Sequence, residues 1–293
     1  MAMAGSPTTA YNLNRCWRIV GTGFVFAVFG LGALAISLTV FPLLRLFSWR
    51  REVARRRIQR AMQRTFRFYV ELMRVLRLMD YDVQGLERLR EPGRLIAASH
   101  PTLIDVVLIV SLLPQVDCIV KRGLWRNPFL RWPVLWASYI PNSEGEQLIE
   151  DCAAGLRAGR SLLIFPEGTR TVPGAPMHLQ RGAAHIALTA DVEILPVIVT
   201  CDPPTLYKRN PWYRVPSRKF HIRVAVGEPV PAARFRRTDE PMAKSARRLT
   251  TWLRNYYREG AAGKGVAADA EPDVTTANHV NLPASPAQSI STI

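Results

Sequence analysis

The sequence contains few acidic residues and few cysteines. Its 293 residues include 23 Asp and Glu against 39 Lys and Arg, which gives a formal net charge of +16. Hydrophobic residues make up 48% of the chain, too much for a disordered protein. The charge excess therefore indicates a folded protein that faces an anionic partner, either nucleic acid or a membrane. The widely separated cysteines form no C-x-x-C pair, so we expect no metal site and no disulfide framework; they are Cys16, Cys118, Cys152 and Cys201.

Charged residues are absent between Ile19 and Leu44, a run of 26 residues. About 20 apolar residues cross a bilayer core, so this run suffices for one tilted helix and is too short for a helical hairpin. It is also longer than the apolar part of a secretory signal peptide. The sequence thus predicts a short N-terminal segment over 1–18 and a transmembrane helix over 19–44, with a buried core helix as the alternative.

An arginine-rich stretch follows the apolar run. Eleven Arg and two Glu lie between Arg45 and Arg77, and the more basic flank of a membrane span stays in the cytoplasm. Apolar side chains recur every three to five residues from Val53 to Leu76, which predicts a basic amphipathic helix over 45–79. Such a helix lies on anionic headgroups or packs on the domain by its apolar face, and both can hold together. We expect no nucleic-acid partner, because the stretch adjoins an apolar span and no nucleic-acid-binding motif accompanies it.

Residues 80–259 alternate between short apolar runs and helical stretches. This alternation predicts an α/β domain with a mostly parallel sheet flanked by helices. Ligands of such sheets bind beyond the carboxyl ends of the strands. Residues 260–293 are poor in large apolar groups and are predicted to be disordered. Strands are predicted over 94–99, 118–121, 137–141, 161–165, 194–200 and 220–226, the last at an edge or antiparallel, and helices over 102–113, 146–158, 180–190 and 243–259.

One predicted strand ends at His100, and Asp105 follows five residues later. A His just before a helix and an Asp in the first turns of that helix can meet across the bend. A hydrogen bond to the Asp would fix the imidazole tautomer and leave the other ring nitrogen as a base that activates an alcohol. The alternative is a His that ends a strand and an Asp that the helix dipole favours.

The hexapeptide FPEGTR, residues Phe165–Arg170, directly follows another predicted strand. Gly168 allows a close approach of the backbone, and Arg170 offers a planar fork for phosphate or carboxylate. Glu167 can hydrogen-bond substrate hydroxyls or hold the loop by pairing with a cation. A surface turn with an incidental ion pair is the alternative.

Together these blocks make the sequence resemble the 1-acylglycerol-3-phosphate acyltransferases, a lysophospholipid acyltransferase family. The family's block of a His, four residues and an Asp corresponds to His100 and Asp105. Its Phe-Pro-Glu-Gly-Thr-Arg block, some sixty to seventy residues later, corresponds to Phe165–Arg170. Shorter similarities at 121–129, 180–184 and 194–197 follow the order of the family's other blocks, and the resemblance covers roughly residues 75–230.

The resemblance implies a glycerolipid acyltransferase-like fold and a membrane-bound O-acyltransferase. The implied reaction moves a fatty acyl group from acyl-CoA or acyl carrier protein to the hydroxyl of a lysophospholipid such as 1-acylglycerol-3-phosphate. The thioester is then a co-substrate, and no cofactor is expected. His100 would be the base and Asp105 would hold it, without an acyl-enzyme. The acceptor-binding residues that the resemblance implies are Glu167, Gly168, Thr169, Arg170 and Lys121.

Two other functions stay open at this stage. The acceptor could be a different hydroxylated lipid, of the ornithine-lipid or aryl-polyene-type pathways, because Asn142 stands where many members of the family have Arg. The chain could also be a degenerate, membrane-tethered binding protein. In each case the expected location is the inner (plasma) membrane, single-pass or interfacial, with the catalytic domain in the cytoplasm and anionic membrane lipid as a partner.

Overall fold

The structure, a computed structural model, describes residues 7–120, 123, 126–128, 130–142 and 145–261. The predicted site residue Lys121 lies outside the described residues, and so does the predicted disordered tail from residue 262 onward. The last described helix, α9, covers Met242–Ala261, so residues 260 and 261 belong to this helix.

The apolar N-terminal run forms two helices, α1 (Pro7–Leu38) and α2 (Val40–Leu46). Pro42 explains why the helix does not continue through Thr39. Proline has no N–H to donate to the carbonyl of Leu38, and its ring crowds that carbonyl. The chain therefore turns at Thr39 and resumes as a second, shorter helix.

Among the described residues, one helical stretch, Leu13–Leu46, is long and apolar enough to cross a membrane by length and composition. Only 17% of its most apolar window is buried, whereas the core helix of a soluble protein would be mostly buried. Large side chains at a spacing of three, four or seven residues lie exposed on one face of α1, and we call them the apolar stripe. The apolar stripe consists of Leu13, Trp17, Val20, Phe24, Leu31 and Leu38.

The arginine-rich stretch forms the helix α3, Arg51–Val75. Its apolar side chains at helical spacing face the interior of the protein and pack against the helix α5, Ile104–Leu112. The helix is therefore packed on the domain by its apolar face, which is one of the two arrangements that the sequence allowed. The buried apolar residues of α3 are Ala54, Ile58, Met62, Tyr69, Val70 and Met73.

The strands of the described residues form one eight-stranded sheet with the order β1-β7-β6-β2-β5-β3-β4, and β8 pairs with β6. All neighbours are parallel except the pairs β6–β7 and β6–β8. The strands are Met79–Gln84 (β1), Leu95–Ala98 (β2), Asp117–Val120 (β3), Ile140–Pro141 (β4), Leu162–Ile164 (β5), Glu193–Asp202 (β6), Phe220–Val226 (β7) and Val230–Pro231 (β8). The remaining helices are Leu86–Arg90 (α4), Arg131–Trp136 (α6), Glu146–Arg157 (α7) and Gly182–Ala190 (α8).

The strand β1 was not predicted from the sequence, and its presence changes the place of β7. β7 lies between β1 and β6, so the prediction of an edge position is wrong, while the antiparallel alternative is confirmed by its pairing with β6. β1 carries two carboxylates, and these charged residues interrupt the apolar pattern by which a strand is predicted. They pair with cations of β7 or just before it, Asp80 with Lys219 and Asp82 with Arg223.

Helices cover both faces of the sheet. The strand β2 shows this most clearly, because its four residues are all buried and their side chains alternate between the faces. Ile96 and Ala98 belong to the core beneath α3 and α5, whereas Leu95 and Ala97 belong to the core beneath α7, α8 and α9. β2 pairs with β5 in parallel, with Ala97 opposite Ile164. The residues after these strands therefore leave the sheet side by side.

Candidate active site

The candidate site begins where β2 ends. Ser99 continues the strand by donating its N–H to the carbonyl of Val197 at 3.0 Å. Its hydroxyl also accepts from the N–H of Val199 at 2.8 Å and lies 3.2 Å from the carbonyl of the same residue. The side chain of Ser99 thus replaces a ladder hydrogen bond between β2 and β6. This clamp fixes the backbone immediately before His100.

His100 and Asp105 meet across the start of α5, as their spacing predicted. The imidazole Nδ1 lies 2.9 Å from Oδ1 and 3.0 Å from Oδ2 of Asp105. The carboxylate is fully buried and also accepts the backbone N–H groups of Thr102 at 3.1 Å and Val106 at 2.7 Å. With Nδ1–H donating to this fixed carboxylate, Nε2 of His100 is the nitrogen left to accept a proton.

Phe165, the first residue of the hexapeptide, packs against the His100 imidazole. The ring centroids are 4.4 Å apart and the planes are inclined by 34°. This tilted ring contact restricts rotation of the imidazole about its side-chain bonds. The sequence predicts Phe165 only as part of the hexapeptide and not as a contact of His100, although its place directly after β5, beside the end of β2, is a signal that could identify this contact.

Glu167 lies against the backbone of His100. One carboxylate oxygen accepts the N–H of His100 at 2.9 Å, and the other accepts the hydroxyl of Thr171 at 2.6 Å. Thr171 in turn donates its N–H to the carbonyl of His100 at 2.7 Å. The side chain of Glu167 is buried. Glu167 therefore braces the His100 backbone through both of its oxygens, and Thr171, which the sequence analysis did not name, completes the brace.

Gly168, Thr169 and Arg170 form the rest of the turn after β5. Gly168 has a φ of +64°, a conformation that L side chains rarely adopt, and its N–H donates to the carbonyl of Phe165 at 2.9 Å. Thr169 is half-buried beside it. Arg170 is half-buried and donates from Nη1 to the carbonyl of Leu206 at 2.7 Å. Among the described residues this is its one protein partner, so the rest of the guanidinium fork is available to an anion.

The thiols near the sheet are poor nucleophiles. Burial raises the pKa of Cys201, on β6, to about 11, and the pKa of Cys118 and of Cys152 to about 12. The thiolate, which is the reactive form, is therefore scarce near neutral pH. Within the described part of the chain, no group of three or more His, Cys, Asp or Glu side chains could hold a metal ion. The site thus consists of an imidazole that can act as a base, a carboxylate that holds it and an aromatic ring that packs against it.

The sequence model of one protein family matches part of this chain. The sequence model of the family described as Acyltransferase matches residues 80–200. We call residues 80–200 the acyltransferase domain. The matched acyltransferase domain contains His100, Asp105 and the whole hexapeptide.

Two curated relatives of this chain share the name 1-acyl-sn-glycerol-3-phosphate acyltransferase. The chain is 29% identical over 149 residues to the 1-acyl-sn-glycerol-3-phosphate acyltransferase of Pseudomonas aeruginosa, which covers 49% of this chain and 58% of that protein. It is 27% identical over 146 residues to the enzyme of the same name from Saccharomyces cerevisiae, which covers 46% of this chain and 48% of that one. The chain therefore spans about half the length of these relatives.

The fold of the chain is also similar to a solved structure. The crystal structure of the 1-acyl-sn-glycerophosphate (LPA) acyltransferase PlsC from Thermotoga maritima superposes with a TM-score of 0.63 at 18% identity. The match covers 87% of this chain and 99% of that one, so it includes elements outside the acyltransferase domain. The predicted α/β fold with a mostly parallel sheet, flanking helices and preceding N-terminal helices is confirmed.

Proposed function

We propose that the chain is a membrane-bound O-acyltransferase that moves a fatty acyl group from a thioester, acyl-CoA or acyl carrier protein, to the hydroxyl of a lysophospholipid such as 1-acylglycerol-3-phosphate. The observation that carries the proposal is the contact between His100 and the buried carboxylate of Asp105 inside an acyltransferase domain. The pair lies at the carboxyl end of β2, where parallel sheets bind their ligands.

The proposed reaction is a direct transfer without an acyl-enzyme. Nε2 of His100 takes the proton of the acceptor hydroxyl, and the oxygen attacks the thioester carbonyl carbon. The tetrahedral intermediate expels the thiolate, which receives the proton from the imidazolium, so the products are the acylated acceptor and the free thiol. Asp105 stabilises the imidazolium and fixes its orientation. The raised pKa of Cys201, which lies on the neighbouring strand β6, supports a route in which this thiol is not acylated.

A panel of acceptors tests the proposal directly. The purified chain in vesicles receives labelled acyl-CoA or acyl carrier protein together with 1-acylglycerol-3-phosphate, neutral monoacylglycerol or a lyso-ornithine lipid. We expect labelled ester to form fastest with 1-acylglycerol-3-phosphate. Faster transfer to a non-phosphorylated acceptor would show that the substrate is another hydroxylated lipid. If neither donor gives labelled ester with any acceptor, the result would favour a binding protein.

Arg170 is proposed to bind the phosphate of the acceptor, together with Lys121 beyond the described residues. Arg170→Ala should raise the KM for 1-acylglycerol-3-phosphate about tenfold to a hundredfold, the value of a charge-assisted hydrogen bond. The KM for a neutral acceptor should change little. Arg170→Lys is the matched control, since it keeps the charge and loses the fork. A change confined to the KM of the acyl donor would contradict the assignment.

Glu167 is a positioning residue on this reading, because its oxygens bind His100 and Thr171. Glu167→Ala leaves the N–H of His100 without its hydrogen-bond partner, so the imidazole is held less firmly. The free energy of this lost hydrogen bond corresponds to about a tenfold to hundredfold lower kcat. The acceptor KM should stay near the wild-type value. Glu167→Gln retains an acceptor oxygen and should recover most of the rate. A higher acceptor KM with unchanged kcat would show instead that Glu167 binds the substrate.

We propose that the chain reaches its lipid substrates from the cytoplasmic face of the inner membrane, single-pass or interfacial. The apolar stripe of α1 supports lipid contact, and the exposed cations of α3 support contact with anionic headgroups. The chain should remain with sedimented membranes in high salt and be released by detergent. Release by salt alone would show that electrostatic attraction suffices for the association and that no apolar segment is inserted.

A further inference from the structure

The loop between β6 and β7, residues 203–219, lies outside the matched acyltransferase domain, and none of its side chains takes part in the proposed chemistry. It contains five cations and no acidic residue. Two of them are paired, Arg218 with Asp202 and Lys219 with Asp80. The other three are exposed and pair with no carboxylate of the described residues: Lys208, Arg209 and Arg214. The loop therefore carries positive charge that the described carboxylates leave uncompensated.

The same loop exposes two aromatic side chains beside α1. Trp212 and Tyr213 are 46% and 55% exposed, and their rings pack edge to face with centroids 5.9 Å apart. A Cβ on Gly23 of α1 would lie 3.3 Å from the Trp212 ring, and the Phe26 ring centroid is 6.5 Å from that of Trp212. The aromatic pair thus lies against the helix that carries the apolar stripe.

We infer that the 203–219 loop is a second membrane-contact element, in which Trp212 and Tyr213 lie at the headgroup level and the unpaired cations bind anionic phospholipid. Tryptophan and tyrosine prefer this level because one end of each side chain is apolar and the other is polar. Cations close to an anionic leaflet add attraction. The exposed aromatic side chains and their continuity with the apolar stripe of α1 favour a lipid surface over an acidic protein as the occupant.

The loop also accepts a hydrogen bond from Arg170. Leu206, which accepts the hydrogen bond of Arg170, has a φ of +53° and donates its own N–H to Asn210 Oδ1 at 2.9 Å. Lipid contact that fixes the loop therefore fixes the orientation of the guanidinium that is proposed to bind the acceptor phosphate. This second role rests on the proposed function, whereas the lipid contact itself does not.

Quenching of tryptophan fluorescence tests the lipid contact without any catalysis. The full chain is reconstituted into vesicles of phosphatidylcholine and phosphatidylglycerol whose acyl chains are brominated near the headgroup. Trp212→Phe should remove part of the quenchable emission. The matched control is Trp252→Phe, since Trp252 is buried on α9 in the opposite helix layer, and it should leave the quenchable emission unchanged. Equal quenchable emission in wild type and Trp212→Phe would overturn the inference.

Kinetics in vesicles test the cations and their link to Arg170. Lys208→Gln with Arg209→Gln should raise the acceptor KM severalfold in vesicles that contain phosphatidylglycerol, with kcat unchanged and little effect in pure phosphatidylcholine. Lys244→Gln with Arg247→Gln, on exposed positions of α9, is the control and should match wild type. Identical behaviour of the two double variants would overturn the role of the cations.

A raised KM for the carrier-protein donor without Trp212 quenching would assign the loop to an acidic protein and reject the lipid surface. Absence of any transfer would reject the proposed function and leave the quenching result to decide the lipid contact.

Discussion

His100→Ala should lower kcat about 10²–10⁴-fold, the contribution of a positioned general base. The imidazole is the group whose Nε2 is free to take the acceptor proton, and Asp105 holds it through Nδ1. The variant should still fold and bind acceptor, because the His100 side chain is partly exposed and its backbone contacts to Glu167 and Thr171 do not involve the imidazole. Single-turnover transfer and acceptor KM, measured in vesicles, separate the chemical step from binding.

The chain supplies its own control for this prediction. His221 pairs with Asp82 on the exposed side of β1 and β7, so it is a second His–Asp contact in the same protein. His221→Ala should leave transfer unchanged. Full activity of His100→Ala would remove His100 from the mechanism, and equal losses in both variants would point to destabilisation of the fold as the cause.

The sequence predicted the pair of His100 and Asp105 because both residues lie on one short turn. A strand end, a turn and the first turn of a helix are local features, so the spacing alone constrains the geometry. The brace from Glu167 to His100 was not predicted, since it joins residues 67 positions apart. It depends on β2 and β5 being neighbours in the sheet, and strand order is a tertiary property that composition and periodicity do not encode.

Local patterns failed where another interaction overrode them. β1 reads as polar because Asp80 and Asp82 interrupt its alternation, yet their partners on and beside β7 neutralise them. Without β1, an edge position for β7 was a reasonable expectation. Both wrong expectations at this end of the sheet therefore follow from Asp80 and Asp82.

The count of arginines in α3 overstates the charge that is available to a membrane. Arg55 turns inward and donates to Asp117 at 2.6 Å, and Arg160 donates to the same carboxylate at 2.8 Å. Asp117 is buried, so removing either cation would leave its charge less compensated. Arg55 thus attaches α3 to β3. Only the cations on the other faces of the helix are available for contact with lipid. The sequence pattern predicts that α3 has a buried and an exposed face, and the structure shows which arginines lie on each.

Asp105→Asn should lower kcat nearly as much as His100→Ala, about 10²–10⁴-fold, with little change in acceptor KM. The two oxygens of Asp105 accept hydrogen bonds from Nδ1–H of His100 and from the N–H groups of Thr102 and Val106. An asparagine has one oxygen, so its amide NH₂ must face either a backbone N–H or the imidazole. In the second case it donates to Nδ1, which places the ring proton on Nε2 and removes the base.

The double variant His100→Ala with Asp105→Asn decides whether these residues act as one unit. If Asp105 works only through His100, the double variant should be no slower than His100→Ala alone, because the effects of coupled groups do not add. Asp82→Asn, at the exposed His221 pair, is the control and should keep the wild-type rate. Losses that multiply in the double variant would mean that Asp105 acts independently of the imidazole, and a wild-type kcat for Asp105→Asn would mean that the base needs no fixed tautomer.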